Sequence, residues 1–406
     1  MARIALVHDH IGGKAGGGGG VRLMVELAVG LERLGHRVTL VYHDFQAGGE
    51  FGAAADGLDI RAVVTGKADV LRGRGEFMAR YLAGMRRVAK LVPGDVDVVN
   101  AHESPGLGAG RLAAARLGVP LVWTRNDETI FERAAVPDQA IVSDRRILPR
   151  LARAVAGLPE FRDARRAAAV VVLSQGQRRM VERSYRRSAD LVPMGPPEHF
   201  FDAPDRAEAR RRLGVDDDTF LCVGAGILYP HRRLEDLIDA VARIRSESRV
   251  RALIVGSDHG DPAYADRLAA LIRRHRLEDR VAMPRRNVTD DELKDAYAAA
   301  DVFVFPNQRQ TWGLAPLEAL ACGTPVILSR GAGVHEVLEG RPGVVSVPPE
   351  TPEAIAAALL ATIHDRDRRA AVAETRGWIR RELSREAYAR RMTAIYERVR
   401  SGFGAR

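Results

Sequence analysis

Short, almost wholly apolar runs alternate with longer helical patterns from one end of the sequence to the other, and that rhythm limits the fold sharply. In the first half the runs are Ile4–His8, Arg37–Tyr42, Val96–Ala101, Pro120–Thr124 and Val170–Ser174. Between them lie helical patterns such as Val21–Leu34, which stops at Gly35, and Gly108–Leu117, which stops at Gly118. A strand that is apolar on both faces must be covered on both faces. Helices between successive strands make the sheet parallel.

The second half repeats the pattern. Its apolar runs are Phe220–Gly224, Arg251–Gly256, Arg280–Met283, Val302–Pro306, Pro325–Ser329 and Val344–Val347. Helical patterns fall at Leu234–Ile244, Pro262–Arg274, Asp290–Ala300, Pro316–Cys322 and His335–Leu338. The halves part at Val192-Pro193-Met194-Gly195-Pro196-Pro197, where prolines and a glycine end regular structure. A chain of 406 residues exceeds one ordinary core. The expected architecture is therefore α/β, with two Rossmann-like doubly wound parallel-sheet domains facing a central cleft. The expected boundaries are 1–195 and 196–380. A closing amphipathic helix, with its pattern running from Arg380 to Arg400, would cross back onto the first domain over 381–406. Ligands of such sheets bind beyond the carboxyl ends of the strands.

Composition excludes several classes. With 46% hydrophobic and 28% charged residues the chain is globular. Its two cysteines, Cys222 and Cys322, lie in apolar surroundings and read as small packing residues. The N-terminus enters a strand directly, without a signal-peptide pattern, and the longest apolar candidate, Ala167–Leu173, is far too short to span a bilayer. A cytoplasmic location is expected. The net charge of +9 gathers around Arg72, Arg74, Arg80, Arg86, Arg87 and Lys90, and again from Arg145 to Arg187. These are either solvated helix faces or a contact with an anionic membrane at its inner face. Nucleic acid is not expected, because aromatics do not interleave the basic stretches.

Three segments could carry chemistry. The loop Ile11–Gly20 follows the first strand and opens the first helix. Glycines such as Gly18 and Gly19 let backbone N–H groups approach an anion, although the spacing fits neither the dinucleotide fingerprint nor a P-loop. The segment Gly224–Arg233 again joins a strand to a helix. There Gly226 precedes Arg232 and Arg233, whose guanidinium groups suit a pyrophosphate. Cations at a helix N-terminus are disfavoured unless an anion joins them. The third segment, Pro306–Val326, holds Gln310, then Gly313, Leu314 and Ala315 at a helix start, then Glu318 within its first turns. His8-Asp9-His10 has no accompanying ligands and no metal is expected. His10 and His102, on the rim at strand ends, are acceptor-contact candidates or ordinary loop histidines.

The third segment resembles the Glu-x7-Glu signature of the retaining glycosyltransferase family 4, whose members have the GT-B fold. Gly226–Leu237, Ala300–Pro306, Gly323–Ile327, Leu23–Val41 and Val192–Gly195 resemble other segments of that family in register. The resemblance implies a retaining transfer of a sugar from a nucleoside diphosphate, with the acceptor on the first domain and the donor on the second. The acceptor is unidentified (glycan, lipid-linked or small molecule), and no cofactor is implied. It implies that Arg232 takes the place of the phosphate-binding lysine and Glu318 that of the ribose-holding glutamate. Gly313, Leu314 and Ala315 would supply backbone donors, and the glycines around Gly18 an N-domain phosphate loop. Gln310 replaces the first signature glutamate, and its amide still hydrogen-bonds a sugar hydroxyl without charge. Ile227 replaces a usual arginine, so Arg233 is the candidate for a second cation. Asn126 replaces a frequent histidine, and His102, Asn126 and Asp127 are the candidate catalytic residues. A nucleotide-sugar 2-epimerase and a non-catalytic nucleotide-sugar-binding scaffold are the alternatives on the same fold.

Overall fold

The computed structural model describes residues 1–8, 19–44, 55–64, 74–126, 150–247, 249–259, 261–365 and 367–403. The chain divides into two compact units. The first takes in Met1–Asp138, Asp144–Met194 and Arg385–Arg406, and the second holds Gly195–Ser384.

In the first unit the strands are β1 (Arg3–His8), β2 (Arg37–Asp44), β3 (Asp59–Val64), β4 (Val98–His102), β5 (Leu121–Arg125), β6 (Ala169–Val172) and β7 (Asp190–Leu191). They form one sheet in the order β3-β2-β1-β4-β5-β6-β7, with parallel pairing throughout. Every residue of β4, β5 and β6 is buried, which is why each reads as a continuous apolar run. β3 breaks that rule. It is the edge strand and buries only Val63, so no apolar run announces it. Trp123 in β5 is fully buried, meets Tyr185 edge-on at 5.4 Å, and donates its indole N–H to the Glu103 carbonyl at 3.1 Å.

The helix after β4 spans Glu103–Leu117, starting before the expected Gly108 because Pro105 and Gly106 hide its first turn in the sequence. Gly106 is obligatory there, since a Cβ would lie 2.7 Å from the Val7 carbonyl oxygen. The helix Arg385–Phe403 also belongs to this unit. Its Arg385 pairs with Glu26 at 2.5 Å in the interior, and Tyr396 donates to Asn100 Oδ1 at 2.7 Å.

The second unit holds β8 (Phe220–Ala225), β9 (Val250–Val255), β10 (Val281–Ala282), β11 (Val302–Phe305), β12 (Val326–Ser329) and β13 (Val344–Val347), in the parallel order β10-β9-β8-β11-β12-β13. Helices Leu234–Arg243 and Pro352–His364 pack their apolar faces on this sheet with Leu237, Ile238, Val241, Ile355 and Leu359 in the core. Thr289 and Glu292 form a capping box at the start of Asp290–Ala299. The chain's last helical pattern is two helices, Arg368–Glu382 and Arg385–Phe403, separated at Leu383 and Ser384. Gly195 donates to the Leu383 carbonyl at 2.8 Å, and a Cβ on it would fall 2.5 Å from that oxygen. Among the described residues no helix is long and apolar enough to cross a membrane.

Candidate active site

β8 ends at Ala225 and the chain turns at Gly226, whose φ of +144° is open to glycine. The turn is fixed from β9, because Gly226 donates to the Val255 carbonyl at 2.9 Å and Leu228 to the Ser257 carbonyl at 2.9 Å. Gly256 completes the fit: a Cβ there would sit 2.0 Å from the Gly226 carbonyl oxygen. A single 3-10 turn, Pro230–Arg232, then leads into the helix Leu234–Arg243.

Arg232 folds back over Gly226, with its Nε 3.3 Å from where a Cβ would stand. Among the described residues its guanidinium makes no hydrogen bond or ion pair, and Nε is buried without an acceptor. Burial pulls its pKa below the usual arginine range, and the groups that act on it are the phenols of Tyr297, Tyr229 and Tyr264, not carboxylates. A guanidinium that no carboxylate among the described residues neutralises, held over a fixed turn, is suited to receive an anion.

Arg233 is not a second free cation. It adopts the left-handed conformation at φ 52° as the N-cap residue, and its guanidinium reaches Asp236 at 2.8 Å and Glu235 at 3.0 Å. The physical reason is the acidic first turn of the helix, which claims the nearest guanidinium. Asp236 is buried, and burial pushes its carboxyl up to about 6 against the opposing pull of Arg233.

Gln308 donates its backbone N–H to the His231 carbonyl at 3.0 Å, so the signature segment and the Arg232 turn are joined directly. His231 was not singled out by the sequence. Burial lowers its pKa to about 4, and the positive charges of Arg232 and Arg309 add to the effect. Gln310 is bracketed by backbone bonds, donating to the Gly331 carbonyl at 3.0 Å and accepting from Gly333 at 2.9 Å. The Asn307 amide donates to Gln310 Oε1 at 3.3 Å, which sets that amide's orientation.

Gly313 has φ +116° and lies against the Phe305 ring, where a Cβ would approach to 3.1 Å. Leu314 caps the helix Ala315–Ala321, and Gly313 and Leu314 donate to no backbone carbonyl among the described residues. Glu318 is 4% exposed, and the Tyr297 hydroxyl donates to its carboxylate at 3.1 Å. It is an interior carboxylate with one oxygen held by Tyr297. The same tyrosine acts electrostatically on Arg232, which ties Glu318 to the Arg232 turn through Tyr297.

In the first unit, His102 ends β4 and Asn126 follows β5, on strands paired with His102 opposite Thr124. Both side chains are buried. His102 has no hydrogen-bond partner on either ring nitrogen among the described residues, and burial, with His8 adding, lowers its pKa to about 3. Behind it Asn100 bonds Thr124 at 2.9 Å. Glu103, next in sequence, was missed; it sits at φ +61° with its carboxylate packed against Gly20, where a Cβ would come within 2.7 Å of Oε1. Gly19 begins the first helix. Gly18, His10 and Asp127 lie outside the described residues. Among the described residues no cluster of His, Cys, Asp or Glu is arranged to hold a metal ion. Cys222 and Cys322 are free and buried, which pushes both thiols up.

Comparison with known proteins fits this layout. Residues 205–376 match the family of glycosyl transferases group 1, and residues 17–195 match Glycosyltransferase Family 4. The chain is 31% identical over 400 residues to a D-inositol 3-phosphate glycosyltransferase of Kineococcus radiotolerans, covering 92% of this chain and 89% of that one. A protein of the same name from Acidothermus cellulolyticus is 30% identical over 304 residues, covering 72% of this chain and 66% of the relative. Among solved structures, Anabaena Alr3699/HepE with UDP and glucose superposes with a TM-score of 0.75 at 19% identity, covering 98% and 99% of the two chains. Sucrose-phosphate synthase from Thermosynechococcus elongatus gives 0.79 at 19% identity, covering 99% and 100%. The fold and site define a glycosyltransferase of GT-B architecture. The chain belongs to glycosyltransferase family 4.

Proposed function

We propose that the protein transfers a hexose from a uridine diphosphate sugar to a hydroxyl acceptor of polyol type, with retention at the anomeric carbon. The observation that carries this reading is Arg232, a partly buried guanidinium with no internal anion among the described residues, folded over the Gly226 turn. Its guanidinium, unpaired among the described residues, suits a diphosphate. N–H groups of Gly313 and Leu314, which donate to no backbone carbonyl among the described residues, suit sugar and phosphate oxygens, and Gln310 a sugar hydroxyl. Glu318, steadied by Tyr297, suits a ribose hydroxyl by its carboxylate chemistry. Uridine is the favoured base because structural neighbours hold UDP and UDP-glucose.

In the proposed step the acceptor oxygen bonds to the anomeric carbon as the bond from that carbon to the diphosphate oxygen breaks. The acceptor proton passes to the departing diphosphate. An imidazole with a pKa near 3 is too weak a base to take that proton, so His102 serves as a neutral hydrogen-bond partner for an acceptor hydroxyl. Asn126 would serve similarly, and Asp127 stays with this group as a proposed residue. D-inositol 3-phosphate, the acceptor in the relatives' name, is the first to try.

A screen of UDP, GDP, ADP and TDP sugars by thermal shift tests the reading. A ligand at about 100 times its Kd adds about 2.7 kcal/mol and raises Tm by a few degrees. A response to UDP-sugars followed by glycoside formation supports it. Binding without any turnover or hydrolysis would favour a non-catalytic binding protein, and no response from any sugar nucleotide would overturn it.

A further inference from the structure

The sheet of the first unit reverses its order between β1 and β4: the chain runs outward from β1 to β2 and β3, then crosses over to β4 and continues to β7. Doubly wound sheets bind ligands beyond the strands' carboxyl ends at such a point. β1 and β4 pair with Val7 opposite Ala101, so His8 and His102 come next on the two strands, at those carboxyl ends. The helix Gly19–Arg33 follows β1, so its amino end lies on the same side, and its first turn holds no acidic residue. A helix start of this kind favours an anion, and a ligand phosphate commonly supplies it.

Here the chain supplies the anion itself. Glu103 opens the helix Glu103–Leu117 at φ +61°, a left-handed conformation that a non-glycine residue keeps only where its surroundings impose it. Trp123 holds the Glu103 carbonyl from β5, and Gly106 is pressed against the end of β1, where a Cβ would stand 3.3 Å from the His8 Cα. The Glu103 side chain is 7% exposed, and its Oε1 lies 2.7 Å from where a Cβ on Gly20 would stand, in the first turn of the helix Gly19–Arg33. Its charge is felt by Tyr388, whose phenol is pushed up first by burial and then by Glu103. A carboxylate this deep is screened little by water and repels a second anion strongly. The His102 imidazole, at the same strand ends, is uncharged near neutral pH, because burial, with His8 adding, lowers its pKa to about 3. Neither of its ring nitrogens has a hydrogen-bond partner among the described residues, which suits a ligand hydroxyl. Arg125, 1% exposed at the end of β5, is not a free cation.

We propose that Glu103 sets acceptor specificity: its carboxylate occupies the anion position of the first unit, so the acceptor is an uncharged polyol and phosphomonoesters are rejected. This narrows the acceptor of the transfer reading on which it rests. The discrimination is of the repulsive kind, in which a fixed like charge penalises the wrong ligand more than any contact rewards the right one.

The test is calorimetric titration of matched pairs, myo-inositol with D-inositol 3-phosphate and glucose with glucose 6-phosphate, into the full chain and into Glu103→Gln. UDP is titrated first, which reports on the donor reading by itself and keeps the phosphomonoesters off Arg232. The wild type is expected to bind at least one uncharged member saturably and its phosphate at least tenfold more weakly. Glu103→Gln should narrow that gap at least tenfold, a change that a merely structural role would not produce. If this variant does not fold, Glu103→Asn, the residue type that best tolerates the left-handed conformation, removes the same charge. A wild type that binds the phosphorylated member equally or better would overturn the proposal. So would a gap that persists in the variant, or binding of neither member of either pair. Absence of UDP binding would instead sink the transfer reading, and the acceptor titrations, which need no turnover, would still decide on Glu103.

Discussion

Arg232 and Arg233 are adjacent in sequence and opposite in state: among the described residues the first has no internal anion, and the second is held by Asp236 at 2.8 Å. One is available to a ligand and the other is part of the fold. Replacing each by alanine should separate them. Arg232→Ala is expected to keep or slightly raise Tm while transfer falls about 100-fold or more, the scale for losing one charge-stabilising donor. Arg233→Ala is expected to cost about 1–3 kcal/mol of stability, because it strands Asp236. Paired melting and turnover measurements check this; equal effects on both quantities in the two variants would refute the division.

Asp236 adds a pH dependence to the second variant. Its folded pKa of about 6 lies above the ordinary value of 3.8, so this group's contribution to stability falls as pH rises through that window. Without Arg233 the carboxyl is harder still to ionise. Arg233→Ala should therefore lose more Tm at pH 8 than at pH 5. An equal loss at both pH values would contradict the buried pairing.

His102 gives the opposite sign. Its folded pKa near 3 lies below the unfolded 6.5, so the unfolded chain binds the extra proton between those values. Stability should rise with pH from about 3 to 6.5, by roughly 5 kcal/mol from this group, and level off above. His102→Gln should flatten that rise in a series of denaturant melts. A slope unchanged in the variant would mean the imidazole is not buried neutral.

The close approach of Gly256 to the Gly226 carbonyl predicts a coupled defect. Gly256→Ala places a Cβ 2.0 Å from that oxygen, and relief requires the turn under Arg232 to move. Loss of about 2 kcal/mol or more together with weaker UDP binding is expected. Titration of the folded variant with UDP checks it, and unchanged affinity would show that the turn does not shape the donor site.

Much of the fold was legible because burial on both faces leaves a strand no choice of residue. Ile4–Val7 and Val302–Phe305 could only be interior parallel strands. β3 escaped because an edge strand with one buried residue carries no such run. The closing helix read as continuous because Leu383 and Ser384 interrupt it without a proline or glycine. At the site the sequence singled out Gly226 and Gly313, and both take positive φ. Residue type alone could not assign partners. Arg233 and Arg232 look alike until Asp236 is seen to claim one of them. Glu318 looks open until Tyr297, distant in sequence, is found against it at 3.1 Å. His231 carries no motif at all and emerges only from the hydrogen bond that Gln308 makes to it.

The most direct measurement is calorimetric titration of UDP into the wild-type chain and into Arg232→Ala, each checked for an intact fold by melting. If Arg232 is the diphosphate's cation, the wild type binds UDP and the variant binds it at least tenfold more weakly with an unchanged Tm. Equal affinity in the two proteins, or no binding by the wild type, would contradict the donor site described at Gly226, Arg232 and Glu318.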